Sequence, residues 1–285
     1  SAGSLPSGGG EVARLLTSWR GRVVHAGLRT DPHNYFMSKV DDATDYDYSP
    51  ATTTSTQAVS GSSTISAGKV GDVINGMVPY SDEVLIFLCD HEIWQMNGDP
   101  MFGGYMTCLS KQIGGAFGQA WALDPYGTLY FYGNRGGIWR LKPNEQPVRM
   151  SQQIENRLRS LDLSLYTITM CWDDEVQGLH VYITKTASVL AATHYFWEAR
   201  TNAWSPDVFA DNDLNPKCCG TFDGDLPADR AVILGSWDGY LRSTGADVTN
   251  DDGVDIDSYV VLGPIMTKDM DEPILKGLKA ILGDN

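Results

Sequence analysis

A two-part motif repeats along this chain, and its clearest copy reads Val84-Leu85-Ile86-Phe87-Leu88, Cys89-Asp90-His91, Glu92-Ile93-Trp94-Gln95-Met96. The first part is a run of apolar residues with high strand propensity, and the last part is centred on an aromatic residue. A short polar turn joins the two parts. Two strand-forming runs separated in this way predict an antiparallel β-hairpin.

Four further copies of the motif bring the number of predicted hairpins to five. The paired runs are Arg22-Val23-Val24-His25-Ala26 with Asn34-Tyr35-Phe36-Met37, Thr128-Leu129-Tyr130-Phe131-Tyr132 with Gly137-Ile138-Trp139-Arg140-Leu141, Leu179-His180-Val181-Tyr182-Ile183 with Thr193-His194-Tyr195-Phe196-Trp197, and Ala231-Val232-Ile233-Leu234 with Gly239-Tyr240-Leu241-Arg242.

The spacing of the copies indicates a repeated structural unit. Equivalent points at Val24, Ile86, Tyr130, Val181 and Ile233 are separated by 62, 44, 51 and 52 residues, which is the scale of a four-stranded propeller blade. We therefore expect an all-β fold, a β-propeller-like array of about five or more antiparallel blades. A β-sandwich with elaborated hairpins is the alternative.

The polarity of the runs predicts which side chains are covered. The first runs are continuously apolar, which indicates inner strands covered on both faces by neighbouring blades. In the second runs we expect the polar residues Gln95 and Arg140 to face outward or to line a groove. The tryptophans Trp94, Trp139 and Trp197 are expected to pack between blades.

Three segments depart from the motif. Ten of the sixteen residues of 51–66 are Ser or Thr, which predicts a loop; the alternative is an extended arm that adds to a neighbouring subunit's sheet. Within 151–163, Ile154, Leu158 and Leu161 fall on one helical face behind Ser151 as a candidate cap, which predicts one short helix. Residues 255–282 resemble a further strand pair, which would begin another blade or complete an earlier one.

These patterns also predict the domain organisation. Residues 1–10 are rich in Ser, Gly and Pro, so 1–18 are expected to form a linker or N-terminal extension. Residues 19–285 are then expected to form the propeller-like domain, which need not be complete at either end.

The charge of the chain argues against several classes of partner. With 36 acidic and 21 basic residues the formal net charge is -15, which repels phosphate backbones and argues against sequence-specific nucleic-acid binding. Because no run of 18 apolar residues occurs, no membrane span is predicted. The five cysteines lack a C-x-x-C spacing, so neither a disulfide framework nor a zinc ribbon is expected. For the adjacent Cys218 and Cys219, a vicinal disulfide or a thiophilic metal is the alternative to two ordinary strand or loop residues.

No motif in the chain predicts catalytic, cofactor-binding or metal-ligating residues, so we expect no cofactor and no enzyme activity. The histidines show no H-E-x-x-H arrangement, and His180 and His194, which lie in paired runs, are expected to belong to a polar face. The acidic stretches 41–47 and 250–257 predict solvated turns, with a calcium site as the alternative. Two facing carboxylates of a glycoside hydrolase stay open, because their separation in space is not visible in a sequence.

Beyond the repeated hairpins, the chain contains a series of short strand and turn motifs. They include Trp19-Arg20-Gly21-Arg22-Val23-Val24, Val78-Pro79-Tyr80-Ser81-Asp82-Glu83 and Asp124-Pro125-Tyr126-Gly127, with further motifs at 35–38, 45–48, 84–87, 93–100, 114–118, 128–131, 137–141, 194–197, 203–205 and 237–241. From residue 19 to about 150, and more weakly to 282, the chain resembles a family of phage virion proteins that includes tail hub and nozzle components of short-tailed phages.

The resemblance implies a role and no reaction. It implies a non-enzymatic structural component of a tailed-phage virion, made in the bacterial host cytoplasm and placed in the tail. Such a protein is expected to form a homo-oligomeric ring around the DNA conduit and to contact other tail proteins. Acidic residues lining a conduit would keep the passing DNA from adhering.

Two other functions are alternatives to this role. A host-glycan-binding adsorption protein would use aromatic-lined grooves at Trp94, Trp139 and Trp197. A glycan-degrading propeller enzyme would need two facing carboxylates.

Overall fold

The computed structural model describes residues 12–64, 66–190, 192–226, 229–245 and 250–255, which form five antiparallel blades of a β-propeller. Blades 1 and 2 consist of β1 (Leu15–Trp19), β2 (Arg22–Ala26), β3 (Tyr35–Met37) and β4 (Val59–Ser60), and of β5 (Ile74–Ser81), β6 (Val84–Cys89), β7 (Ile93–Asn97) and β8 (Tyr105–Ser110). Blades 3 and 4 consist of β9 (Trp121–Leu123), β10 (Leu129–Tyr132), β11 (Ile138–Leu141) and β12 (Val148–Arg149), and of β13 (Tyr166–Asp173), β14 (Gly178–Lys185), β15 (Thr193–Glu198) and β16 (Ala203–Asp207).

Blade 5 has three described strands, and a separate hairpin follows it. The strands are β17 (Pro216–Phe222), β18 (Ala231–Ser236) and β19 (Leu241–Ser243), and the hairpin is β20 (Asn250–Asp251) with β21 (Val254–Asp255). One short helix, α1 (Glu155–Arg159), lies between blades 3 and 4. The strand pair predicted over 255–282 lies outside the described residues apart from Asp255, the last residue of β21.

The five predicted hairpins are confirmed, and each forms the second and third strands of its blade. The sequence motif missed the first strands, through which β1 contacts β5 and β13 contacts both β9 and β17. Those strands carry less continuous apolar runs. The first described strand begins at Leu15, four residues before the start expected for the domain.

Four apolar clusters hold consecutive blades together. Val24 and Phe87 lie between blades 1 and 2, and Ile86 and Phe131 lie between blades 2 and 3. The cluster between blades 3 and 4 contains Tyr130, Met170 and Val181. The cluster between blades 4 and 5 contains Cys171, Tyr182, Val232 and Leu234. Neighbouring residues of one strand thus serve two interfaces, because side chains alternate between the faces of a sheet. This explains the continuous apolar runs of β6, β10 and β14.

A buried arginine fastens the polar loop of blade 1 to blade 2. Arg22 is 1% exposed, and its guanidinium donates to the carbonyl oxygens of Ser38 at 2.8 Å and Gln57 at 2.6 Å. It also donates to the carbonyl oxygen of Ser55 and, at 3.2 Å, to Asp99 Oδ2 of blade 2. Each acceptor would be left without this donor if the arginine were removed.

The Ser/Thr-rich segment folds back onto its own blade. Residues 51–58 form a loop, as predicted, and Val59–Ser60 is β4, which pairs with β3. The strand in the described part of the segment therefore pairs within its own blade. The carbonyl groups that Arg22 binds in this loop explain its inward path.

The expected outward position of Gln95 is wrong, whereas that of Arg140 is confirmed, because Arg140 is exposed. Gln95 is fully buried, and its amide donates to Asn144 Oδ1 at 3.0 Å while its oxygen accepts from the Asn144 N–H at 3.0 Å. A buried amide is stable when both of its ends are hydrogen-bonded. Asn144, at φ +62°, supplies the partners for both ends.

The short helix is confirmed, but its predicted cap is wrong. Leu158 is buried, and Ile154 and Leu161 pack against the same cluster, as the periodicity predicted. Ile154 occupies the N-cap position without a side-chain hydrogen bond. Ser151 Oγ instead accepts from the Ile138 N–H at 2.9 Å, so this hydroxyl ties β11 to the segment that precedes the helix.

Within the described ranges, no helix has the length and apolar character that crossing a bilayer would require.

We expect Arg22→Met to lower the free energy of unfolding by about 3–5 kcal/mol, because it leaves Asp99 and buried carbonyl groups without their cationic partner. The measurement is urea denaturation, whose midpoint should fall. Arg140→Met is the control, since Arg140 is exposed and should change the stability by less than about 0.5 kcal/mol. Equal midpoints for both variants would contradict the role given to Arg22.

Candidate functional site

A concavity with charged walls lies between blades 4 and 5, and we call it the blade 4–5 cleft. Its volume is about 490 Å³, and it is lined by Asp173, Asp174, Glu175, Thr221, Arg230, Ala231, Val232 and Thr244. β13 ends at Asp173, and the turn that follows carries the next two acidic residues back towards β14. β17 and β18 supply the opposite wall, so the cleft exists only because the two blades pack together.

Arg230 neutralises one rim of the cleft. Its guanidinium forms ion pairs with Asp174 of blade 4 and, at 3.3 Å, with Asp223 of blade 5. Asp174 also accepts a hydrogen bond of 2.7 Å from the indole N–H of Trp172. Two of the acidic residues at this rim are therefore already partnered within the protein.

His180 lies next to Asp173 of the cleft lining, between two carboxylates. Its Nε2 is 3.6 Å from Asp173 Oδ2, and its Nδ1 is 3.6 Å from Asp207 Oδ2. Both distances exceed that of a hydrogen bond, so the attraction is mainly coulombic. Burial opposes a charge on the imidazole, but the two carboxylates prevail and raise the pKa of His180 to about 9.

Asp173 is the ionised partner in this arrangement. Burial disfavours its charge, but His180 and the backbone N–H groups of Glu175 and Val176 hold its pKa below the usual value. At neutral pH the imidazolium of His180 therefore lies between the carboxylates of Asp173 and Asp207, an arrangement that we call the carboxylate sandwich. A protonated imidazole has no lone pair to accept a proton, so His180 in this state is an electrostatic tie and not a general base.

His194 lies on the same face of blade 4 as His180, but its ring is neutral and not protonated. Its Nδ1 accepts from the Ile183 N–H at 3.2 Å, so Nε2 carries the hydrogen and donates to Asn215 Oδ1 at 2.9 Å. Burial lowers the pKa of His194, which keeps the ring neutral. The two histidines do share a face, but the aromatic ring of Tyr182 separates them, and the face is buried and largely aromatic.

The cysteines are free thiols, and the adjacent pair points to opposite sides of β17. Cys219 packs with Cys171 across the interface between blades 4 and 5, whereas Cys218 is exposed. The hydrogen bond with Cys219, together with burial, raises the pKa of Cys171. The same hydrogen bond lowers the pKa of Cys219. The alternation of strand side chains keeps Cys218 and Cys219 apart, and the vicinal disulfide is not formed.

The three tryptophans occupy different environments. Trp197 is buried at 6% exposure, and its indole N–H donates to Asn202 Oδ1. Trp94 and Trp139 are half-buried against the apolar clusters of blades 1 and 2 and of blades 2 and 3. The Trp94 N–H is taken by Glu92 at 2.7 Å. Packing between blades is therefore the main role of all three.

The acidic residues of 41–47 form turns. Asp42, Asp45 and Asp47 each accept a backbone N–H two residues further on, at 3.0 Å in every case. In the second acidic stretch, Asp252 pairs with Arg242 at 2.8 Å, and residues 256 and 257 lie outside the described residues. In the part of the chain that the structure describes, no group of three His, Cys, Asp or Glu side chains has the arrangement of a metal site.

Comparison with known proteins gives no family. No family model and no curated protein matches this chain. Among solved structures, a Bacteroides thetaiotaomicron VPI-5482 protein of unknown function has a TM-score of 0.43 at 11% identity over 82% of this chain, and YCF48 bound to D1 peptide has a TM-score of 0.44 at 8% identity over 82%.

An extracellular domain from B. thetaiotaomicron, BT4673, has a TM-score of 0.48 at 15% identity over 84% of this chain. The chain spans 58%, 67% and 28% of the lengths of the VPI-5482 protein, YCF48 and BT4673, respectively. The strand order of the five blades establishes the β-propeller fold of this chain.

We expect His180 to make the stability of the protein fall as the pH rises. Because its pKa is raised from 6.5 to about 9 in the folded state, its contribution is complete below pH 6.5 and is lost as the pH passes through about 9. The loss is on the order of 3 kcal/mol. Urea denaturation from pH 6 to 10 measures it, and His180→Asn should remove this part of the pH dependence.

His91→Asn is the matched control. Like His180, His91 lies near two carboxylates, those of Asp72 and Asp90, but its side chain is half-exposed and not buried. Its profile should follow that of the unmodified protein. A His180→Asn profile parallel to the unmodified one would contradict the carboxylate sandwich.

We expect Cys218 to react first with a thiol reagent in the native protein. It is exposed, whereas Cys89 and Cys171 are buried, and burial contributes to raising the pKa of each of these two thiols. Absorbance at pH 8 with Ellman's reagent should show a fast phase that Cys218→Ser removes and Cys89→Ser leaves intact. A fast phase that survives Cys218→Ser would show that another thiol is open to the reagent.

Proposed function

We propose that this chain is a non-enzymatic structural component of a tailed-phage virion, a tail hub or nozzle protein that assembles with its own copies into a ring around the DNA conduit. The sequence motifs that resemble such virion proteins support the identity of the assembly. The observation that supports self-assembly is an apolar sheet face on blade 5.

The register of blade 5 sorts its side chains onto two faces. Val232 and Leu234 face blade 4 and are buried at 3% and 4% exposure. On the opposite face, Gly235 pairs with both Cys218 and Leu241, and Phe222 ends the same face of β17. Phe222 is 55% exposed and Leu241 is 74% exposed.

This outer face of blade 5 differs from the faces that lie between consecutive blades. Each of the four described interfaces between consecutive blades contains an apolar cluster, and none of these clusters joins blade 5 to blade 1. An apolar sheet face in water favours a partner that buries it. A second copy of the chain is the partner that a homo-oligomeric ring supplies.

The overall charge suits a component beside passing DNA. A chain with a net charge of -15 repels the phosphate backbone and would not retain it. Other tail proteins would then be held through protein contacts and not through nucleic acid. The proposed location in the virion tail is supported by the resemblance of the sequence motifs and not by the charge.

We expect the purified chain to form rings in native mass spectrometry and in negative-stain electron microscopy. The double variant Phe222→Asp, Leu241→Asp should lose the ring, because it would bury two charges at the subunit contact. Its circular dichroism should be unchanged, since both side chains are exposed in one copy.

The matched control is Phe102→Asp, Tyr126→Asp, which changes two side chains that are 81% and 71% exposed elsewhere on the molecule. This variant should keep the ring. A stable monomer of the unmodified chain would overturn the proposal, and a ring with a filled centre would overturn its placement around a conduit.

A further inference from the structure

Blade 3 and the helix that follows it form a basic region in an acidic protein. Residues 135–159 contain six cationic side chains and two acidic ones, although the chain as a whole has a net charge of -15. The cationic residues are Arg135, Arg140, Lys142, Arg149, Arg157 and Arg159. Positive side chains placed together on an acidic molecule create a local potential that attracts anions.

Three of these arginines surround a small cavity, which we call the arginine pocket. It has a volume of about 140 Å³ and lies where the connection from blade 2 to blade 3 meets the turn between β10 and β11. Its lining residues are Gln112, Ile113, Gly114, Gly133, Asn134, Arg135, Gly136, Trp139, Arg149 and Arg159. The helix α1 supplies Arg159, so the pocket combines four separate segments of the chain.

Glycines in the turn allow this close arrangement. Gly136 and Gly137 have φ values of +82° and +89°, a region that favours glycine. A Cβ atom at Gly136 would lie 3.1 Å from the Cα of Arg159, and one at Gly137 would lie 3.1 Å from Nη2 of Arg149. The backbone of the turn therefore packs directly against two of the arginines.

The charges around the pocket are not balanced. Glu155 is shared, with its Oε1 2.8 Å from Arg149 and 2.8 Å from Arg159. Among the described residues, Arg135 has no ion-pair partner, so three guanidinium groups face one carboxylate. The Asn134 amide is bound to Asp90, which itself lies 3.2 Å from His91 and does not line the pocket.

Trp139 adds a wall and a donor to the pocket. It pairs with Arg149 across the strands, and the Arg149 guanidinium carbon lies 5.1 Å from the centre of its ring. This stacking holds the guanidinium in place. The indole N–H of Trp139 has no hydrogen-bond partner among the described residues, unlike that of Trp94 or Trp197.

We propose that the arginine pocket is a binding site for a small oxyanion, the carboxylate or phosphate group of a small molecule. Guanidinium groups donate paired hydrogen bonds to such oxygens, and the free indole N–H supplies one more donor. The volume suits one anionic group and is below that of a pocket for a whole drug-sized ligand. This site is independent of ring assembly, because it lies on blade 3 and not on the outer face of blade 5.

The test is a titration of ¹⁵N-labelled protein at constant ionic strength, with inorganic phosphate in one arm and acetate in the other. We expect a saturable shift of the Trp139 indole N–H signal, assigned by its disappearance in Trp139→Phe. Saturation with phosphate alone would identify a phosphate site, with acetate alone a carboxylate site, and with both a general oxyanion site. No saturable shift in either arm would overturn the proposal.

Paired variants show whether the anion is held by the pocket or by general charge. Arg135→Gln, Arg159→Gln should weaken binding at least tenfold, since it removes two of the three guanidinium groups. Arg140→Gln, Lys142→Gln removes the same charge from the same blade outside the pocket lining and should leave the dissociation constant within about twofold. Equal weakening by both pairs would overturn the site. Chemical shifts away from the changed residues report whether each variant is folded.

Discussion

Burial of blade faces against one another is the interaction on which this molecule depends. Each middle blade has a sheet with two apolar faces, and neither face is stable in water unless another blade covers it. In β6, Leu85 and Phe87 face blade 1, while Ile86 and Leu88 face blade 3. At about 1.5–3 kcal/mol for each fully buried large side chain, such strands contribute much of the driving force for folding. The blades are therefore a series of mutually dependent layers.

Because the blades pack closely, a polar group that is buried between them needs a hydrogen-bond or ion-pair partner within the protein. Arg22 is paired and hydrogen-bonded, Gln95 is bonded at both ends by Asn144, and the ring of His180 lies between two carboxylates. Each solution uses a partner from another strand, loop or blade. Burying such a group without partners would cost more than most single contacts contribute. These hydrogen bonds and ion pairs have preferred geometries, so they fix how the blades are oriented. The apolar packing between the blades is by itself non-directional.

The two surfaces to which we assign roles are an apolar blade face that no described blade covers and a cluster of arginines with too few carboxylates to balance it. Blade 5 keeps the alternation of its side chains, so an apolar face with Phe222 and Leu241 points away from blade 4. The arginine pocket lies elsewhere, at the edge of blade 3 where the turn between β10 and β11 meets α1. There the protein pairs Arg149 and Arg159 with one shared carboxylate. Assembly and anion binding thus draw on different residues and different forces.

Local patterns in the sequence determined the hairpins, the single helix face and the all-β class, because strand propensity, turn chemistry and side-chain periodicity act over a few residues. They did not reveal the first strands of the blades, the burial of Gln95 or the true role of Ser151. His180 was visible as a residue of a paired strand, but its charge state depends on Asp173 and Asp207, which lie on other strands. The lining of the arginine pocket likewise comes from four segments of the chain. Only the tertiary structure brings these groups together, because packing between and within blades joins residues that are far apart in the sequence.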